Sequence, residues 1–127
     1  MKNIQNFLVL GFYLANFILI IFYLYPGSIF GCFLYNDCNM QPQITRNFMI
    51  SSNHLYAFTI LSTIGISAYN KTKKIRFIIF YLFSLSIILE LFHLIIPNRG
   101  FEISDLLGNI AGVMFVLIVY KIKEMYA

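Results

Sequence analysis

The sequence predicts an all-α integral membrane bundle of four transmembrane helices, with the N- and C-termini cytoplasmic. Three observations carry this expectation. Of the 127 residues, 60% are hydrophobic and only 11% are charged, against roughly 25% charged in an ordinary soluble domain. A chain this short buries only part of its apolar surface when it folds in water, so lipid is the solvent that suits it. Four stretches approach the length of about 20 mostly apolar residues that a spanning helix needs, and the basic residues fall mostly on one side of them.

The first stretch, residues 7–25, has no charged side chain. Lys2 precedes it, but its apolar run exceeds the roughly 7–15 residues of a signal-peptide core and no small-residue cleavage site follows, so it reads as a retained span. The second, residues 48–69, contains His54. The third, residues 77–96, carries Glu90 and His93. The fourth, residues 103–120, carries Asp105 near its start. Together they form one membrane domain over residues 1–127. With both termini inside, the inner side holds Lys2, Lys71, Lys73, Lys74, Arg76, Lys121 and Lys123, and the outer side only Arg46 and Arg99. That is the positive-inside pattern of a multi-pass protein of the cell membrane. The net charge of +4 therefore reports topology. Basic residues scattered over three segments do not make the single basic face of a nucleic-acid binder.

The connections are short except one. Residues 26–46 contain Pro26, Gly27, Gly31, Asp37, Asn39 and Pro42, all turn formers, and both cysteines, Cys32 and Cys38. An extracytoplasmic loop permits a disulfide, but spacing alone leaves a bridge and two free thiols as alternatives. Residues 70–76 form a basic inner turn suited to anionic headgroups. Pro97-Asn98-Arg99-Gly100 is a tight return, which makes the helices on either side antiparallel neighbours.

Polar residues inside the spans narrow the reading further. An Asp, Lys or Arg at a helix centre costs about 2.5–3.5 kcal/mol on insertion scales, and such residues face the bundle interior. Glu90 stands six residues before Ile96, which places it about 9 Å below the end of a helix running to 96. Ser86, Glu90 and His93 share one stripe. Asp105 and Asn109 share another, with Gly108 and Gly112 beside it in a spacing that lets helices approach closely. His54 opens the second span. All of these lie in the outer half of the bilayer, with Arg99 and Glu102 in the turn above. Glu90, His54 and His93 are the candidate catalytic residues, suited by type to general acid–base work. Arg99, Glu102, Asp105 and Asn109 are the candidate binding residues, Arg99 for an anionic group. His54, Glu90, His93 and Asp105 are ligand types that zinc accepts. However, Glu-x-x-His occurs once here, whereas di-iron bundles duplicate it, so neither a metal nor another cofactor is assigned.

Segment 90–112 resembles the signature of VanZ-like membrane proteins. Glu90, Pro97, Arg99, Asp105, Asn109 and Gly112 keep that pattern's residues and order across a helix–turn–helix, and Glu102 stands where the family often has Asp. His93 replaces the family's usual Gln. His54 matches a family His, while Ser51 occupies the position where a Lys is usual. The resemblance covers residues 47–120. It implies a small multi-span protein of the cell envelope with a glycopeptide-resistance-like role, although the family's activity is not well defined. Three readings stay open. The cluster binds an anionic lipid-linked or glycan group, with membrane lipid and a lipid-linked envelope precursor as partners. Alternatively it is the centre of a membrane-embedded hydrolase or transferase, or it only fixes helix packing.

Overall fold

The apolar run that opens the chain forms helix α1 (Lys2–Leu24). The computed structural model describes residues 2–127. The regular elements among them are all helices: α1, then α2 (Ile29–Tyr35), α3 (Ser52–Tyr69), α4 (Ile75–Phe92) and α5 (Ile103–Tyr126). Three of these, α1, α4 and α5, are long and apolar enough to cross a membrane. Their outward faces stay greasy. Phe80 is 71% exposed, and Phe17, Phe77 and Phe115 are exposed as well, an arrangement that suits lipid contact better than water.

The second expected span, α3, is not among the three. Ser52, Asn53, His54, Thr59, Ser62 and Thr63 dilute its apolar character. Its position explains why the fold tolerates them. It lies at the centre, packed against α5 most extensively and also against α1 and α4, with buried residues from Ser52 to Tyr69. Protein covers Ser52, His54 and Ser62, while Thr63 is exposed. The hydroxyls of Thr59 and Thr63 donate one turn back to the carbonyls of Leu55 and Thr59, 2.7 Å each.

Helices α3 and α5 run parallel and very close. A methyl carbon at Gly108 would sit 2.7 Å from the Ser51 carbonyl oxygen, and one at Gly112 2.7 Å from that of Leu55. The G-x-x-x-G spacing thus serves a contact within the chain. Helix α1 is antiparallel to α3: the Gln5 amide donates to the Ala68 carbonyl at one end, and Tyr23 meets His54 at the other. We call the latter the upper end; there α1 and α4 finish and α3 and α5 begin. Phe12, Leu19, Phe58, Leu61, Leu82 and Val113 fill the core between the helices.

Helix α1 starts earlier than the expected span, α3 starts later and α5 runs on to Tyr126; two further departures bear on the site. Helix α4 ends at Phe92, not near Ile96. Beyond it the backbone bonds tighten to i→i−3, from His93 to Glu90, Leu94 to Leu91 and Ile95 to Phe92, and Ile96 N–H shares the Phe92 carbonyl. Pro97 then bars continuation by disfavouring the helical conformation at the residue before it, and Asn98 turns the chain with φ 58°. Glu90 is therefore in the last turn of its helix. The second departure is α2, inside the segment expected to be irregular. Ser28 caps it by accepting the Gly31 N–H at 3.0 Å, and Asn36 ends it in the left-handed conformation. Cys32 and Cys38 are joined in a disulfide. Ser28 N–H donates to the Cys38 carbonyl at 2.7 Å, and Gly27, with φ 103°, lets that carbonyl come close. Phe33 of α2 points outward, 83% exposed.

Candidate functional site

Four helices bring their polar residues together at the upper end. Helix α1 supplies Tyr23, α3 supplies His54, α4 supplies Glu90 and the following His93, and α5 supplies Asp105 and Asn109. The two α3 and α5 starts are tied by a bond from Ser51 N–H to the Ser104 carbonyl, 3.0 Å. The close α3–α5 approach at Gly108 then sets His54 beside the first turn of α5.

Asn109 is fully buried and fully engaged. Its amide donates to the Ser86 carbonyl at 3.1 Å. Its Oδ1 accepts the Tyr23 hydroxyl at 2.6 Å and lies 3.0 Å from His54 Nδ1. His93 is likewise used on both sides. Nε2–H donates to the Tyr23 carbonyl at 3.0 Å, Nδ1 faces Glu90 Oε1 at 3.3 Å, and the ring stacks on Tyr23 with centroids 5.7 Å apart. Glu90, 0% exposed, accepts at Oε1 from the Glu102 backbone N–H at 3.3 Å as well. Its Oε2 lies 3.8 Å from His54 Nδ1. The second ring nitrogen of His54, Nε2, lies 3.4 Å from Asp105 Oδ2.

Arg99 does not pair with Glu90. Its Nη2 donates to the Phe22 carbonyl at 2.8 Å and its Nε to that of Tyr25 at 3.2 Å. It thereby satisfies carbonyls that the end of α1 leaves without helical partners. Burial pulls the guanidinium pKa below its ordinary value, while the nearby Asp105 and Glu90 carboxylates act the other way; the group remains a cation. Glu102 is exposed at the start of α5, its side chain accepting from Ser104 at 3.4 Å.

Two cavities flank the cluster. A polar one of about 150 Å³ is walled by His93, Arg99, Glu102 and Asp105 together with the loop residues Ser28 and Gln41. A larger, mostly apolar one of about 680 Å³ runs between α1 and α3, walled by Leu19, Phe22, Phe30, Ala57 and Ile60, with His54 at its side. Ser28, Gln41 and Arg99 line both. Of the candidate residues, then, His93, Arg99, Glu102 and Asp105 reach the polar cavity and His54 the apolar one, while Glu90 and Asn109 lie behind these walls. Sequence reasoning missed Tyr23. A tyrosine near the end of a greasy helix looks like an interface anchor, and nothing local marks it as the hub between His54, Asn109 and His93.

Comparison with protein-family models, with curated proteins and with solved structures finds no match to this chain. The VanZ-like resemblance therefore rests on the residues of segment 90–112 themselves.

Proposed function

We propose that the protein is a four-span, VanZ-like protein of the cell membrane, with both termini cytoplasmic, that binds an anionic lipid-linked or glycan group of the cell envelope at its upper, outward-facing end. The single observation that carries the reading is the meeting of the two cavities at Arg99. An amphiphile needs an apolar channel for its tail and a polar recess for its head. The groove between α1 and α3 falls within the roughly 300–1,000 Å³ range of small-molecule sites. The polar recess of about 150 Å³ has the volume of about five waters at roughly 30 Å³ each, which is room for a phosphate-sized group. Arg99 has five N–H donors and uses only two of its nitrogens on α1. The carboxylates of Glu102 and Asp105 suit hydroxyl donors of an attached sugar. As for the fourth span, α3 has 18 residues, about 27 Å of helix against a hydrocarbon core of about 30 Å. The basic residues at the lower end support the cytoplasmic placement.

The test is lipid retention by the full chain in detergent, read by native mass spectrometry. A polyprenyl phosphate should be retained over phosphatidylcholine. Arg99→Gln should weaken that preference, and Ala57→Phe, which narrows the groove, should weaken retention of the tail. Equal retention of both lipids by the parent protein would overturn the binding reading. An enzymatic role is favoured by one observation: Glu90 has a histidine beside each carboxylate oxygen. Turnover of the retained lipid that is abolished by Glu90→Gln, with retention unchanged, would move the assignment to a hydrolase or transferase.

A further inference from the structure

We propose that His54, Glu90 and Asp105 form a zinc site. One ligand atom from each lies within 4.8 Å of the other two. Two ligands at about 2.0–2.1 Å from a tetrahedral zinc are about 3.4 Å apart, and His54 Nε2 and Asp105 Oδ2 are separated by 3.4 Å. Asp105, with 19% of its side chain exposed, is the member with room to close the remaining gap.

Hydrogen-bond accounting shows that His54 and Glu90 each have one atom held and one atom left over. Asn109 gives its amide to the Ser86 carbonyl, so the oxygen it turns to His54 only accepts. Tyr23 has a single hydroxyl proton and places it on that same oxygen. Both neighbours of His54 Nδ1 are therefore acceptors toward it, and Nδ1 carries the hydrogen. The lone pair of the neutral ring is then on Nε2 and faces the Asp105 carboxylate. Lone pair against carboxylate is repulsive unless a proton or a cation lies between. Glu90 repeats the pattern. Its Oε1 accepts the Glu102 N–H and shares a proton with His93 Nδ1, because His93 Nε2–H is committed to the Tyr23 carbonyl. Its Oε2 is buried on a side chain with no exposure and has no hydrogen-bond partner among the described residues. A buried carboxylate oxygen left without a donor is costly, and a divalent cation removes that cost.

Glu90 and Asp105 bring two carboxyl groups to a site that protein shields from water, and the guanidinium of Arg99 is turned to the carbonyls of α1. A cation placed between them is therefore favoured. The surroundings have the form of a metal's outer shell, in which a ligating histidine donates its other ring N–H to a fixed acceptor; here Asn109 and Tyr23 fill that role. His93 stays outside the set because both of its nitrogens are engaged. Three protein ligands would leave a fourth position, as in zinc sites that act on a substrate, and Asp105 lines the polar cavity. The inference is independent of the lipid reading, since zinc alone is the probe and no lipid need bind.

The full chain in detergent, stripped with chelator and given Zn²⁺, should retain one zinc per chain after gel filtration, measured by elemental analysis. Co²⁺ in its place should give the visible absorption of a low-coordinate site. Outer-shell changes alone weaken metal sites by about 10–100-fold, so His54→Gln and Asp105→Asn should each weaken zinc binding by about 100-fold or more. Glu124→Gln, exposed at the far end of α5, should bind as the parent does. Asp105→Asn keeps the side-chain shape, and its circular dichroism separates loss of metal from loss of fold. Absence of stoichiometric zinc in the parent, or equal binding by a folded Asp105→Asn, would overturn the site.

Discussion

Adding one methyl group at Gly112 tests the closest packing in the molecule. The new carbon would stand 2.7 Å from the Leu55 carbonyl oxygen, 2.9 Å from Phe58 Cβ and 2.9 Å from the Thr59 nitrogen. A carbon–oxygen contact is comfortable at about 3.3–3.6 Å, so α3 and α5 must separate by roughly 0.6–0.9 Å. None of the three neighbours is the loose end of a side chain that can swing aside. Two are backbone atoms of α3, and the third is the Cβ of the fully buried Phe58. Overpacking of this kind typically costs about 1–3 kcal/mol, and we expect Gly112→Ala to fall in the upper half of that range. Gly100→Ala is the matched control, because a methyl carbon there meets nothing within 4 Å. Unfolding of both variants in mixed micelles, followed by circular dichroism against denaturant, gives the comparison. If Gly112→Ala is as stable as the parent, or if Gly100→Ala loses as much, the parallel α3–α5 contact is not where we place it.

Other changes have equally definite outcomes. Tyr23→Phe removes the hydroxyl that Asn109 and His54 share and leaves buried polar atoms short of a partner, which should cost about 1–3 kcal/mol in the same unfolding measurement. Arg99→Ala uncaps the end of α1 and should destabilise by a similar amount, while Arg99→Lys should recover only part of it because an ammonium cannot reproduce the planar fork; melting temperatures of the three proteins decide this. Cys32 and Cys38 should resist maleimide labelling until a reductant is added. Cys32→Ser should lower stability by about 2 kcal/mol in the chain-entropy account of so short a loop, seen as an earlier unfolding midpoint that reductant no longer shifts.

Much of this arrangement was legible in the chain because lipid makes polar residues conspicuous. His54, Glu90, His93, Asp105 and Asn109 stand out in greasy surroundings, and helical spacing alone brings Asp105 and Asn109 to one face. What could not be read was how hydrogen bonds are shared among them. Arg99 lies only nine positions from Glu90, yet carbonyls at the end of α1, more than 70 positions earlier in the chain, take its donors. Such pairings depend on which helix ends meet in space. The stop of α4 was misjudged for a local reason, since Leu94, Ile95 and Ile96 are as apolar as the helix before them and hydropathy does not register a tightening backbone. Helix α2 was hidden because its turn formers, Ser28 and Asn36, are also its caps.

The central place of α3 bears on how the protein is made. On the four-span reading, this helix is too polar to rest comfortably in lipid by itself, and of its neighbours only α1 precedes it in the chain. The faces that cover Gly65 and Phe58 from one side are available at once, since the Phe12 ring packs on Gly65. The glycine face of α5 arrives last, after α4 has been synthesised. Until then His54 has no Asn109, and the Ser51 N–H has no Ser104 carbonyl to meet. If α3 crosses the membrane, its polar cluster is complete only once α5 has been made, and a chain stopped short of α5 would present a half-covered helix to whatever machinery surveys newly made membrane proteins.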